Sequence, residues 1–363
     1  MNRAIYRIGP AGLCVIALAA TPARAEDATT VSEITISATR LPQPLDVIPG
    51  AYVIDEVEIS DRQAVFAGDV LATVPGLSVF NAGAFGGVTS VRQRGASSDK
   101  TLVLIDGVPV NDASQPAGGF DFSAIDLADI QRVEVLSGPQ SSLWGSDAIG
   151  GVIAFTTREP DGARAGVEGG SFGTARLSAA LGRSTEKWAL GFSAANFSTT
   201  GISVADVRNG NTEPDGLHDL TLSARGRLNL SDAVQVDGQL RYNNSHTDVD
   251  GYPARTGFTL ADTDDVAKSR SVEGFVRAKA EGPFASHNEF IIGRYQIARS
   301  QSGESGPFAY TASRDVYRWT AARGGIADPF SVMIGAERDN THASLSDASQ
   351  ASLGETAAFA VVR

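Results

Sequence analysis

The sequence predicts a small, densely turned α+β domain followed by the antiparallel strands of a transmembrane β-barrel. Three observations carry this reading. Between residues 91 and 155, short β-favouring runs are separated by tight-turn signals. From about residue 164, runs of roughly ten residues alternate apolar and polar side chains, as strands crossing a bilayer require. After the N-terminus no segment holds the about 20 apolar residues of a membrane helix, so insertion would be by strands.

The N-terminus reads as a processing segment. Arg3 and Arg7 form a basic region, residues 11–20 a short apolar one, and Ala23-Arg24-Ala25 a small-residue cleavage pattern. Together they predict a signal peptide over residues 1–25 and export of the remainder. The single cysteine, Cys14, lies inside that segment, so neither disulfides nor thiol chemistry is expected in the exported chain. Without Arg3, Arg7 and Arg24 the 30 basic residues fall to 27 against 42 acidic ones, a net charge of −15. Such acidity argues against nucleic acid as a partner.

In residues 26–40, Ile34 and Ile36 alternate with Thr35 and Ser37, the pattern of a strand with one apolar face. Leu41-Pro42-Gln43-Pro44 blocks helix and reads as a flexible spacer. A tethered terminal strand suits pairing with the sheet edge of a partner.

Residues 41–157 form the compact domain. A short helix is expected over 64–72, ending before Val74-Pro75-Gly76. Residues 102–105 are an apolar strand, Asp106-Gly107 a hairpin turn, and Val108 begins the return. Pro109 cannot donate to a ladder, which places that return at a sheet edge. A third strand over 131–136 stops at Gly138-Pro139, and the glycine-rich 145–151 turns the chain sharply before residues 152–155. Two glycine-rich loops, 81–87 and 111–119, are expected to be exposed and mobile.

Ten barrel strands are expected, near 164–171, 174–182, 187–197, 219–229, 233–246, 269–280, 286–300, 313–325, 330–341 and 354–363. In one of them Val234, Val236, Gly238, Leu240 and Tyr242 oppose Gln235, Asp237, Gln239, Arg241 and Asn243. Trp188, Leu190, Phe192 and Ala194 line one side of another; Phe275 breaks the alternation of a third. The charge on the polar face favours a barrel over a soluble sandwich. Aromatic residues near strand ends, such as Trp188 and Tyr242, fit interfacial girdles.

The chemistry-bearing residues do not form an enzyme's constellation. His218, His246, His287 and His342 are scattered, without metal-ligand spacing. Neither a nucleophilic triad nor a phosphate loop emerges, so catalysis is not expected. The acidic loops 209–216 and 247–251 are expected on the same side of adjacent strands, where oxygen ligands suit calcium; plain solvated loops are the alternative.

Val74-Pro75-Gly76-Leu77-Ser78-Val79, Arg94-Gly95, residues 102–107, Gly119-Phe120-Asp121-Phe122-Ser123, Glu134, Gly138-Pro139-Gln140-Ser141-Ser142-Leu143 and residues 145–152 together resemble the plug domain of TonB-dependent outer-membrane receptors, most of all the cobalamin (vitamin B12) receptors. The resemblance implies an α+β plug over 41–157 and the N-terminal part of a barrel over 164–363. It implies a bacterial outer-membrane location and energy-driven uptake of a scarce nutrient, cobalamin first. A ferric-siderophore receptor, or a truncated remnant that does not transport, is the alternative. The partners it implies are a TonB-type periplasmic energy-transducing protein, a small-molecule nutrient and outer-membrane lipid.

Residue by residue, the TonB box falls on Glu33, Ile34, Thr35, Ile36, Ser37 and Ala38. The ligand face falls on Asn81, Ala84, Phe85, Asn111, Ser114, Gln115 and Phe120. A calcium site falls on Glu213, Asp215, Asp248 and Asp250, with Ser203 where the pattern prefers Asp. Ser137 stands where an Arg usually precedes Gly-Pro, which would weaken the pairing of plug and wall. The ten strands fall short of the family's about 22, and a ten-stranded cylinder would have no room for a plug. The end, Phe359-Ala360-Val361-Val362-Arg363, lacks the family's terminal aromatic. The sequence therefore reads as an incomplete receptor, a fragment or a truncated gene product.

Overall fold

The computed structural model describes residues 35–36, 38–40, 43–45, 48–83, 85–115, 119–159, 161–324, 328, 330–347 and 349–363. The expected signal peptide and the box residues Glu33, Ile34 and Ser37 lie outside them, as does Ala84 of the expected ligand face.

The first strands are two residues each: β1 (Thr35–Ile36) pairs antiparallel with β2 (Gln43–Pro44), Thr35 opposite Pro44. This corrects the expected free spacer. The prolines block helix, but an extended backbone can fold back and satisfy the neighbouring strand, and here it does.

The compact domain contains β3 (Ala51–Asp55), α1 (Glu56–Asp61), α2 (Ala67–Leu71), β4 (Leu77–Asn81), β5 (Thr89–Gln93), β6 (Thr101–Ile105), β7 (Val108–Pro109), β8 (Ile130–Ser137), α3 (Ser141–Trp144) and β9 (Gly151–Thr157). One sheet runs in the order β3-β8-β9-β6-β7, and β4 and β5 form a separate pair. Pro109 ends the edge strand β7, as its missing donor requires. Asp106 and Gly107 both take positive φ (48° and 89°), the geometry of the tight hairpin turn. The expected helix over 64–72 is shorter. The Asp69 carboxylate accepts the Phe66 amide (3.0 Å) and caps the helix just before Ala67. Helix α1 was not expected; the Asp55 side chain caps it by accepting from Glu58 N (2.9 Å).

The wall is a ten-stranded antiparallel sheet in sequence order: β10 (Gly162–Gly169), β11 (Ala175–Ser184), β12 (Trp188–Ile202), β13 (Asp215–Ser231), β14 (Val234–Gly251), β15 (Ala261–Gly282), β16 (Ser286–Ser302), β17 (Phe308–Arg323), β18 (Val332–Leu345) and β19 (Gln350–Val362). Each overlaps an expected strand, but several run on well past it. Only about 9–11 residues of a strand are needed to cross the bilayer, and sequence alternation fades beyond that band. Among the described residues, β10 and β19 are paired on one side only. No helix among these residues is long and apolar enough to cross a membrane, which says nothing of strands.

The alternation is inside-out, as a barrel wall requires. Asp237, Gln239, Arg241 and Asn243 are buried toward the plug, while Leu240 on the same strand is exposed. Phe275 breaks the pattern for a packing reason: it points inward and forms an apolar cluster with Val108 of the plug and Ile291 of β16. The plug's main core, with Ile54, Val70, Leu71, Val103, Val135, Ile153 and Phe155, extends into the wall through Tyr295, Ile297, Ala312 and Ala343.

Candidate functional site

Six plug carboxylates meet wall guanidiniums. Asp106 pairs with Arg225 (3.1 Å), Asp126 with Arg176 (2.9 Å), and Asp129 with Arg241 (3.3 Å). Asp112 and Asp121 share Arg299 (3.2 and 3.3 Å), and Asp147 pairs with Arg314 (3.1 Å). Arg277 adds a bond to the Asp106 carbonyl (3.0 Å). The sequence reading placed the pairing charge on the plug, through the arginine missing at Ser137. In the structure the polarity is reversed: the plug brings acids and the wall brings arginines. Arginine suits the task because its planar fork stays charged when buried and can hold two acceptors at once. Arg241 stands on the polar face that the alternation predicts, but alternation gives a face and not a partner.

The wall's longer connections, 203–214 and 252–260, fall at one end of the sheet, and the short turns at 185–187, 232–233 and 283–285 at the other. At the long-loop end the plug loop 81–87 reaches the wall. Asn81 and Phe85 are exposed and line a cavity of about 660 Å³ with Phe66, Phe122, Phe197 and Ile202. Phe197 is the contact between the two walls of this cavity, its ring centre 5.2 Å from Phe66 and 6.1 Å from Phe85. Gly86 (φ 76°) holds the loop there, since a Cβ on it would meet Leu217 and Thr247 at 2.7 Å. Gly86→Ala is therefore expected to displace the loop and cost about 1–3 kcal/mol, read as a lower unfolding midpoint; an unchanged midpoint would mean the loop is not seated on β13 and β14.

The second loop corrects the expectation of exposure. Asn111 is buried, its side chain accepting from Val103 N (2.8 Å) and donating to Thr101 O (2.9 Å). Phe120 is also buried, edge-on to Phe122 at 5.0 Å. Both positions are structural supports of the plug. An Asn that bonds two backbone groups of one strand, β6, resembles a loop residue in sequence because its partners are eight and ten positions away. Ser114 and Gln115 are half-buried. Ser114 Oγ donates to Asp112 (2.5 Å), and the Gln115 amide oxygen, turned to satisfy both groups, accepts from Arg299 (2.8 Å).

The four expected calcium ligands lie near one another, Asp215 against Asp250 and Glu213 close to Asp250 and Asp248, without forming a metal cage. Among the described residues no group of three or more acidic, His or Cys side chains is arranged to hold a metal. Asp215 accepts from Val204 N (2.7 Å) and Asp250 from Ala205 N (2.7 Å). Asp248 lies beside His246 (3.7 Å), and Glu213 is exposed. Ser203 donates to Asp262, an acid the sequence reading missed, which also accepts from Thr212 N and Glu213 N (2.6 and 3.0 Å). These carboxylates tie loop 203–214 to its neighbours through backbone amides. In this arrangement no three of them surround one point as a calcium ion requires.

Partial burial, then Asp262, Asp250, Asp248 and Asp264, hold the Glu213 carboxyl above its ordinary range. A carboxyl raised in the folded loop favours that loop when protonated, and the benefit is lost as pH rises through the raised value. Proteolysis within 203–214 is expected to slow as pH falls from neutral toward the carboxylate range. A cutting rate that does not change with pH, or that rises on acidification, would remove Glu213 from the account.

Of the expected box, Ala38 is gripped at both backbone groups: its N–H donates to the buried Glu134 (2.8 Å) and its carbonyl accepts from Trp144 Nε1 (2.7 Å). Arg40 follows, between the rings of Trp144 and Phe359 (4.1 and 4.2 Å) and paired with Glu337 of β18 (3.0 Å). A cavity bounded by Arg40, Glu186, Asp232 and Glu281 opens this region toward the short turns. The sequence does not reveal this clasp, whose parts are about a hundred to three hundred positions away in the chain.

Residues 44–152 match the TonB-dependent Receptor Plug Domain family. The chain is 38% identical over 177 residues to a vitamin B12 transporter BtuB of Vibrio vulnificus, a stretch covering 48% of this chain and 26% of that protein. A second B12 transporter, from another strain of that species, is 38% identical over 134 residues, 37% of this chain and 22% of that protein. The chain thus spans well under two thirds of these relatives. Among solved structures, the alcaligin outer-membrane receptor FauA of Bordetella pertussis superposes with a TM-score of 0.72 at 17% identity, over 91% of this chain and 55% of that one. The ferric yersiniabactin receptor FyuA of Yersinia pestis gives 0.63 at 18% identity, over 86% and 60%. At these identities the structures speak for the fold alone. Residues 44–152 are thus a plug domain of the TonB-dependent receptor type, seated against a ten-stranded antiparallel wall with the fold of those structures.

Proposed function

We propose that the chain belongs to an outer-membrane receptor that takes up a scarce nutrient, with cobalamin as its cargo. The observation that carries this reading is the seating of the plug, held by six acids against an inward-facing polar wall whose outward face is apolar. Such a plug closes a path and has to be moved to open it. The cargo comes from the identity to two vitamin B12 transporters. Asn81 and Phe85 meet the ligand in the aromatic cavity at the long-loop end, with Ser114 and Gln115 beside it. At the other end residues 33–38 pair with the TonB-type partner after the short β1–β2 ladder opens. Calcium enters only if binding rearranges loop 203–214 and the last residues of β14, 247–251, which a calcium titration of ligand affinity would register.

Equilibrium binding of cyanocobalamin to the purified chain in detergent, with a ferric siderophore as competitor, tests the cargo. Saturable corrinoid binding that resists the siderophore is expected, and Phe85→Ala is expected to weaken it about tenfold. Binding of the iron chelate alone would replace the cargo while leaving the receptor reading in place.

A further inference from the structure

A cavity of about 300 Å³ lies between the plug sheet and the wall. Six cationic side chains line it: Arg40, Arg132, Arg225, Arg277, Lys279 and Arg318. Among the described residues only Asp106 and Glu289 bring carboxylates to the lining. Arg225, Arg132 and Arg277 each face a carboxylate of their own, on Asp106, Glu134 and Asp237 (3.1, 2.7 and 3.7 Å).

Arg40 and Arg318 differ, because both lean on the one carboxylate of Glu337. They also share one indole, their guanidinium carbons 4.1 and 4.9 Å from the Trp144 ring centre. Their side chains are 5% and 6% exposed. Yet among the described residues Arg40 Nε and Nη1 and Arg318 Nη2 have no hydrogen-bond partner. Burial, and then the neighbouring Arg318, pull the Arg40 guanidinium down to about 10, which still leaves it charged at neutral pH. Two buried cations with bare N–H groups and one counter-ion between them are costly unless something anionic joins them.

We propose that this cavity binds a small free oxyanion of the phosphate or sulfate class, held between Arg40 and Arg318. Guanidinium forks match the paired oxygens of such ions, and a second negative charge offsets the excess that Glu337 alone leaves. The space, closed by the plug on one side and the wall on the other, suits an ion and not a lipid headgroup. Arg40 stands two positions beyond Ala38, so the ion would tie the segment after the box to the wall. Ion binding and release of that segment then oppose each other by linkage. Ion binding in this cavity is independent of the cargo.

The test is calorimetric titration of the purified chain in neutral detergent with inorganic phosphate, then sulfate, at an ionic strength kept constant with chloride. One saturable site is expected. Arg318→Gln is expected to weaken it at least about tenfold. Glu337→Gln removes the competing carboxylate and is expected to tighten it several-fold, a gain that a misfolded protein does not produce. Arg208→Gln, on the exposed loop 203–214, should leave it unchanged. Phosphate should also slow hydrogen exchange at the Ala38 amide in the unaltered chain. The proposal is overturned if neither ion binds saturably at millimolar concentration, or if Glu337→Gln binds no tighter.

Discussion

Arg241→Leu is expected to destabilise the protein by about 3–5 kcal/mol, the usual cost of removing one member of a buried ion pair. Arg241 is 4% exposed and reaches three acceptors at once: Asp129 (3.3 Å), Glu273 of β15 (3.7 Å) and the Asp126 carbonyl (3.0 Å). Neither Asp129 oxygen has a conventional hydrogen bond to fall back on. Leucine would fill much of the volume, so the loss is electrostatic: two buried carboxylates would face each other without a cation. The double change Arg241→Leu, Glu273→Leu removes one of them and is expected to recover part of the loss. Urea or thermal unfolding in detergent reads both effects. A single-variant loss below about 1 kcal/mol, the range of exposed pairs, would show that water reaches this site and that the ion pairs do not hold the plug.

Trp144→Ala is expected to loosen the segment after the box by about 2–3 kcal/mol, from the lost hydrogen bond, cation–π contacts and packing. Trp144 is where three interactions meet: its Nε1 donates to the Ala38 carbonyl, and its ring takes Arg40 and Arg318. At about 1.4 kcal/mol per factor of ten, the opened segment should become about 30- to 140-fold more populated. Hydrogen exchange at the Ala38 amide, which donates to Glu134 and not to Trp144, reads this directly. Trp144→Phe keeps a ring for Arg40 and loses only the hydrogen bond, so a smaller effect of about 1 kcal/mol is expected. If exchange in Trp144→Ala matches the unaltered protein, then Glu134 and the Arg40–Glu337 pair hold the segment and the indole is incidental.

The amino-acid sequence by itself determined the two-part architecture and the strands of the wall. Residues 234–243 alternate because one face meets apolar surroundings and the other a polar interior, and that demand is local, repeated every second residue. The hairpin at Asp106-Gly107 and the edge position of Pro109 were equally legible, since each follows from what one residue's backbone can and cannot do. Only the tertiary structure decided which charges meet. Arg241 is legible as a residue of the polar face, but the partners of Arg176, Arg225, Arg241 and Arg299, at 126, 106, 129 and 112, are reached across fifty to nearly two hundred positions. It also set Asn111 and Phe120 inside the plug, laid β6 parallel to β9, and closed Trp144 and Glu134 on Ala38. Periodicity reports the medium each side chain faces. Pairing depends on how two separately folded surfaces come together, and no local pattern carries that.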